Sequence, residues 1–344
     1  MDDFKKILIL RLSAIGDTIH TLPLANALKE KYPECQIGWV VEEKAALFIK
    51  DNPIVDKCYV LPKKQWKRKL AIIKEINNEN YDIVLDTQQL LKSAIILPFL
   101  NIKRKITLTG GREFSWLFSN EFIKAQKPLF DFNYHVVNRN LEFANHLGIS
   151  NPQIKFTLKQ PKPETQEKVK KLLSKIDLNK STVTISPATT WENKHWDENC
   201  WTEVVKYLKD KTNLVFTGME CDKPLIQRII NAADYNNAIV LAGETNLEEL
   251  AQVFRQSDVV IAPDSGSAHI AWAVSKPYLL TIFTATAANR NAPFGDKCFT
   301  FFPKIDCYPC MKRLCKRKNK KNICRKSINP QDIINTLKNI LHYD

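Results

Sequence analysis

Short, almost wholly apolar runs alternate along this chain with longer stretches in which apolar residues recur every three or four positions. In the first half the runs are Ile7–Leu10, Ile37–Val41, Lys57–Leu61, Ile83–Asp86 and Lys105–Leu108. Ile7–Leu10 lacks the apolar/polar alternation of a half-exposed strand and is short and rich in β-branched residues, so it predicts a strand buried on both faces, as in a parallel sheet. Amphipathic stretches such as Lys67–Asn77 and Val136–Leu147 lie between or after the runs, and strands alternating with helices build βαβ units. The pattern breaks between Ser150 and Glu164, where NPQIKFTLKQPKPE carries three prolines and no helical period, and this stretch reads as a linker. The alternation then restarts. Strands are expected at Val183–Ser186, Asn213–Thr217, Ala238–Leu241, Val259–Ala262 and Tyr278–Phe283. Helices are expected around Glu198–Lys209, Lys223–Ala233, Leu247–Gln256 and Ser267–Val274. A last helix, Pro330–Leu341, has Pro330 near its first position and Gln331 and Asp332 in its first turn, as helix starts prefer.

The expected fold class is therefore α/β, with two Rossmann-like doubly wound domains, 1–160 and 161–328, facing each other across a cleft. A terminal helical segment, 329–344, is free to cross back to the first domain. A length of 344 residues supports the division, since one hydrophobic core rarely serves so long a chain.

Charge and cysteine content narrow the setting. The formal net charge of +14 attracts nucleic acid, an anionic membrane face or a phosphorylated substrate. Much of it sits in two runs, Lys63-Lys64-Gln65-Trp66-Lys67-Arg68-Lys69 and Lys312–Lys326, although such runs are often simply solvated faces. Nine cysteines, several scattered singly, point to reduced thiols rather than a disulfide framework. No apolar run is long enough to span a bilayer, and the start MDDFKK has no cationic leader, so a cytoplasmic protein is expected.

Candidate chemistry collects at the predicted strand ends, where ligands of open α/β sheets bind. After Ile7–Leu10 comes RLSAIGD, which places Asp17 at a turn where a carboxylate can act as a base. After Val183–Ser186 comes PATTWENKHW. Its Thr189 and Thr190 hydroxyls can donate to a diphosphate and Lys194 supplies positive charge; the alternative is a loop packed by Trp191 and Trp196 with Lys194 exposed. After Val259–Ala262 comes PDSGSAH, in which Asp264 can cap a helix and the N–H groups around Ser265–Ala268 can receive phosphate oxygens. A third strand end, Gly218–Asp222, offers Asp222 to a ribose or sugar hydroxyl. There is no GxGxxG and no GxxxxGK[ST], so dehydrogenase and P-loop readings lose support.

With these residues in view, the chain resembles the bacterial heptosyltransferases of the lipopolysaccharide inner core, glycosyltransferase family 9. The resemblance spans nearly the whole length through RLSAIGDTIHTLP, VVEE at Val40–Glu43, DTQQLLKSA at Asp86–Ala94, TTWENKHW at Thr189–Trp196 and PDSGSAHIA at Pro263–Ala271. The first and third of these most resemble heptosyltransferase I. The resemblance implies a GT-B architecture and inverting, metal-independent transfer of heptose from ADP-heptose, a substrate rather than a cofactor, to Kdo-lipid A. It implies Asp17 as general base and Lys194 as the compensator of charge on departing ADP. Thr189, Thr190, Lys194, Asp222, Asp264, Ser265, Gly266 and His269 would hold the donor. Lys63, Lys64, Lys67, Arg68, Arg112 and Arg139 would face the anionic acceptor. A monomer on the cytoplasmic face of the inner membrane is expected, with no cofactor and no nucleic acid. Heptosyltransferase II, or another sugar transferase of the family, is the alternative.

Two positions depart from the family pattern, Gln89 where glycine is more usual and Asp222 where glutamate is common in heptosyltransferase I; Pro23 lies inside the amphipathic segment that runs to Leu28, where a proline can kink this first helix or delay its start. The spacing Cys307-x2-Cys310-x4-Cys315-x8-Cys324 has the thiols for a tetrahedral zinc site, but its second pair lacks the short spacing of a zinc knuckle, so reduced thiols in a basic loop are the preferred reading. Two other functions are compatible with parts of the chain. A nucleotide-sugar epimerase would share the fold without needing an acceptor. A basic nucleic-acid-binding protein would explain the charge but neither the polar strand ends nor the absence of an aromatic stacking platform.

Overall fold

The computed structural model describes residues 4–342. They form two compact units that divide after Lys159. The first holds a six-stranded sheet of β1 (Lys6–Leu10), β2 (Gln36–Glu42), β3 (Lys57–Leu61), β4 (Ile83–Asp86), β5 (Arg104–Leu108) and β6 (Glu121–Ile123), in the order β3-β2-β1-β4-β5-β6. The second holds β7 (Thr182–Ile185), β8 (Asn213–Phe216), β9 (Ile239–Val240), β10 (Val259–Pro263), β11 (Tyr278–Ile282) and β12 (Cys298–Phe301), in the order β12-β11-β10-β7-β8-β9. Both sheets thus follow the same doubly wound order, and all their ladders are parallel.

That order fixes where a ligand can sit. Successive crossovers leave β1 and β4 in opposite directions, and likewise β7 and β10, so a crevice opens at the carboxyl ends of each pair. The pairs are in register as far as Leu10 opposite Asp86 and Ile185 opposite Ile261. Each strand is followed directly by one of the polar segments singled out above.

The cores account for the apolar runs. Ile7, Leu8, Ile9 and Leu10 have no exposed surface, as a strand covered by helices on both faces requires. In the second unit Val183, Ile185, Phe216, Ile261 and Leu280 pack with Trp196 and Trp201, whose rings meet edge to face at 5.0 Å.

All ten strands expected from the sequence are present, and each sheet gains a sixth at one edge. Glu121–Ile123 and Cys298–Phe301 escape sequence reading because they are short and only partly covered. The helix Ile15–Lys31 runs straight through Pro23, so its start is not delayed. The last helix, Pro330–Leu341, does not leave its own unit: Ile333, Ile334 and Leu337 are buried in the core that holds Trp201 and Val204. Much of the linker is structured too. Asn26 Nδ2 donates to the Lys155 carbonyl (2.9 Å) and Asn52 Nδ2 to that of Thr157 (2.8 Å), which ties this stretch to the first unit. Pro163 begins the helix Pro163–Leu172 as its first residue, the position where a missing N–H costs nothing.

Candidate active site

In the first unit, three segments that are distant in sequence converge at the carboxyl ends of β1, β2 and β4. Asp17 stands in the first turn of the helix Ile15–Lys31. One carboxylate oxygen lies 3.3 Å from the Arg11 guanidinium and the other accepts the Ala14 N–H at 3.1 Å. The Asp17 side chain is still 43% exposed, while Arg11 is buried and also donates to the Thr87 carbonyl. Each carboxylate oxygen has a second lone pair, so an orienting contact on each leaves room to accept a proton. The Gln88 side-chain carbonyl receives the N–H groups of Leu12 and Ser13, both at 3.0 Å, and holds the loop after β1 against β4. Lys92 Nζ donates to Ser13 Oγ and to Glu42 Oε1, the latter at 3.1 Å.

Beneath this cluster Asp86 is fully buried, and its Oδ1 accepts the N–H groups of Gln88 and Gln89 at 3.2 and 3.3 Å. Burial pushes its carboxyl up to about 6, against the pull of the Ser93 hydroxyl, of those N–H groups and of Arg11. A carboxylate whose folded pKa lies above its unfolded value weakens the fold as pH rises from about 4 through 6. Asp86→Asn, which keeps the accepting oxygen and removes the charge, is thus expected to raise the melting temperature at pH 7.5. The gain, on the order of 2–3 kcal/mol at most, should fade by pH 4. A pH series of melting curves checks this; a gain that persists undiminished at pH 4 would be incompatible with it.

In the second unit the loop after β7 and the loop after β10 meet through one ion pair. Lys194 Nζ lies 2.7 Å from Asp264 Oδ2, with 17% and 5% of the two side chains exposed. Asp264 also receives Thr286 Oγ1 at 2.5 Å and lies 3.4 Å from His269 Nε2. Burial alone would raise the Asp264 carboxyl, but Lys194 and His269 outweigh it and hold the group well below the usual carboxylate range. Ser265 precedes the helix Gly266–Val274 as its N-cap, and its Oγ is buried without a hydrogen-bond partner. The first-turn N–H groups of that helix have no partner within the helix, and with Lys194 they make a place for phosphate oxygens. Lys194 Nζ also lies 4.8 Å from the Trp191 ring centre. His195 Nε2 is 2.8 Å from the Thr189 carbonyl, which folds the loop back on itself, and burial lowers its pKa.

The other candidates are placed differently. Thr189 is half-buried and Thr190 exposed on the same loop as Lys194. Asp222 Oδ2 accepts the Met219 N–H at 2.7 Å and Oδ1 accepts the Cys221 thiol at 3.8 Å, so after β8 the side chain caps the turn. Lys63, Lys64, Lys67 and Arg68 are exposed after β3, two strands and roughly 10 Å from β1 at ordinary sheet spacing. Arg112 is exposed, 5.6 Å from the Phe130 ring centre, and its backbone N–H donates to the Gln89 carbonyl.

Arg139 corrects the sequence reading. It is 5% exposed, and its guanidinium donates to Gln89 Oε1 (3.1 Å) and to the carbonyls of Lys127 and Thr109, so it braces the site from within instead of facing an acceptor. Gln89 has a φ of +54°, the left-handed region where glycine is least strained, and its side chain is kept by this contact. Sequence reasoning did not single out Arg11, Gln88, Lys92, Glu42 or Thr286. The first four lie inside the matched motifs, whereas Thr286 follows β11 in a run whose only signal is repeated threonine.

Comparison with known proteins identifies the family and the fold. Residues 69–321 match the model of glycosyltransferase family 9 (heptosyltransferase). The chain is 31% identical to lipopolysaccharide heptosyltransferase 1 of Campylobacter coli, over 83% of this chain and 86% of the relative. It is 28% identical to the lipopolysaccharide core heptosyltransferase OpsX of Haemophilus influenzae, over 85% and 82%. Its relatives include heptosyltransferase 3 as well as heptosyltransferase 1 of Escherichia coli. In fold it is similar to the Escherichia coli heptosyltransferase WaaC with ADP, with a TM-score of 0.74 and 22% identity over 97% of this chain and 99% of that one.

Proposed function

This chain belongs to glycosyltransferase family 9, the heptosyltransferases, and from that premise we propose that it moves heptose from ADP-heptose to Kdo of the lipopolysaccharide inner core. The Lys194–Asp264 pair at 2.7 Å carries this reading, because it joins the two strand-end loops of the second unit into one polar site at the switch point. Lys194 meets the diphosphate and offsets the charge that grows on ADP as the anomeric bond breaks. The N–H groups at the start of the helix Gly266–Val274 meet its oxygens, and Asp264 and His269 contact the sugar. These groups handle the leaving-group charge with side chains and amides alone, so the reaction proposed is metal-independent.

On the acceptor side Asp17 accepts the hydroxyl proton as the oxygen attacks. Displacement from the face opposite ADP inverts the anomeric centre. The base has to be anionic and fixed, and the contacts to Arg11 and Ala14 fix it. The exposed Lys63, Lys64, Lys67 and Arg68 beside Trp66, which is 59% exposed, suit an anionic lipid acceptor presented at the cytoplasmic face of a membrane. Among the described residues no helix is long and apolar enough to cross it.

Two measurements test the proposal. ADP at 100 times its Kd should stabilise the chain by about 2.7 kcal/mol, whereas UDP and GDP at the same concentration should do little. Equal shifts with all three would remove the ADP assignment. ADP-heptose with Kdo-lipid A should then release ADP at a rate that acceptor already carrying one heptose does not reach. The opposite preference would assign the later core heptose.

A further inference from the structure

Cys307, Cys310, Cys315 and Cys324 all line one cavity of about 160 Å³ in the second unit, together with Lys312, Lys316 and Arg317. The segment that brings them there has little else to hold its shape. Between the end of β12 and the one-turn helix Ile323–Lys326 the chain forms no helix or strand. Lys312, Arg313, Leu314 and every residue from Lys316 to Lys321 are exposed. A stretch of about twenty residues with neither secondary structure nor an apolar core is not ordered by burial, and such segments are commonly held by cross-links or metal ions. Here the thiols are turned inward: Cys324 is buried and the other three are half-buried, and all four are free.

We infer that Cys307, Cys310, Cys315 and Cys324 together bind one thiophilic divalent metal ion, zinc or ferrous iron, as a tetrathiolate site. The donor set has the number and softness that such ions select. The Asn322 backbone N–H already donates to Cys315 Sγ at 3.4 Å, a contact that favours sulfur as a thiolate ligand. Four thiolates around a divalent ion carry a net charge of −2, which Lys312, Lys316 and Arg317 offset on the wall of the same cavity. Among the described residues no three His, Cys, Asp or Glu side chains stand close enough to hold an ion as they are. Binding therefore has to draw the four sulfurs further into the cavity they line. Each thiol gives up its proton to solvent as its metal–sulfur bond forms, and nothing is oxidised.

The site bears on the loop that carries Lys194. Asn193 donates through its side chain to the Lys312 carbonyl (2.9 Å) and through its backbone to that of Arg313 (3.2 Å). The Arg313 guanidinium lies 5.3 Å from the Trp191 ring centre, and the Met311 N–H donates to the Ala285 carbonyl at 3.0 Å. A metal that fixes residues 307–324 thus fixes residues 191–194 as well. The site itself stands whether or not the donor reading does.

The test is elemental analysis of the full chain purified under reducing conditions. About one equivalent of zinc or iron per chain is expected, with iron distinguished by the visible charge-transfer bands that appear when an added oxidant such as ferricyanide takes it to the ferric tetrathiolate. A chelator should release the ion, make four more thiols reactive and speed amide exchange in residues 189–195. Cys310→Ser should lose the metal. Because that variant can fail to fold, the stripped wild-type chain is also titrated with cobalt, which should give the spectrum of a tetrahedral thiolate complex. Metal-free protein that takes up no cobalt, or an intact mass showing the four sulfurs joined as disulfides, would overturn the inference.

Discussion

Asp17→Asn is expected to lower kcat for heptose transfer by roughly 10²–10⁴-fold, the usual worth of a positioned general base, while the KM for the donor and the melting temperature barely move. The asparagine carbonyl can still face Arg11, which is 3.3 Å from the native carboxylate, so the buried guanidinium keeps an acceptor, while the Ala14 N–H that loses its partner is on an exposed residue and turns to water. What the amide cannot do is accept the hydroxyl proton. Asp17 is 43% exposed, so its charge pairing contributes little to stability, and lost activity in a well-folded variant isolates the chemical role. The discriminating measurement is single-turnover transfer at saturating donor and acceptor. An unchanged rate would take Asp17 out of the mechanism and leave it as a helix-start residue that orders the loop after β1.

The fold was legible because a parallel sheet buries its strands on both faces, and Ile7–Leu10 or Val259–Ala262 can hardly be anything else in that setting. The edge strands Glu121–Ile123 and Cys298–Phe301 were not legible, since an edge strand is defined by its neighbour's hydrogen bonds rather than by its own apolarity. The site divides the same way. Asp17, Lys194 and Asp264 lie in the segments that leave β1, β7 and β10 at their carboxyl ends, so topology carries those segments to the switch points. The contacts that hold them do not follow from spacing. Arg11 reaches Thr87 across 76 positions and Thr286 reaches Asp264 from the next strand along. Arg139 shows the limit most plainly: a cation in an amphipathic helix reads as a surface ligand. Only the packing reveals that its guanidinium is spent on Gln89 and two carbonyls. The departure at Gln89 likewise becomes intelligible once its positive φ and its Arg139 contact are seen together.

Lys194→Met should act on both stability and rate, and pH separates the two effects. The methionine keeps an apolar stem beside Trp191 but removes the ammonium from Asp264, whose side chain is 5% exposed. Breaking a buried pair by deleting one partner can cost about 3–5 kcal/mol. Here Asp264 keeps Thr286 and His269, so the loss should be nearer that of one hydrogen bond to a charged group, about 1.5–3 kcal/mol. The Asp264 carboxyl is held below its ordinary value, so its stabilising contribution is full above about pH 4 and disappears as pH falls through the lower folded value. The variant's deficit in melting temperature should therefore be constant near neutrality and shrink below about pH 4, where the carboxyl no longer needs a cation. At pH 7.5 kcat should fall by roughly 10²–10³-fold, because a preorganised charge facing the leaving group acts mainly in the transition state. A higher donor KM with kcat intact would instead make Lys194 a ground-state phosphate contact. In that case the charge that grows on the departing diphosphate would have to be met by the N–H groups at the start of the helix Gly266–Val274 alone.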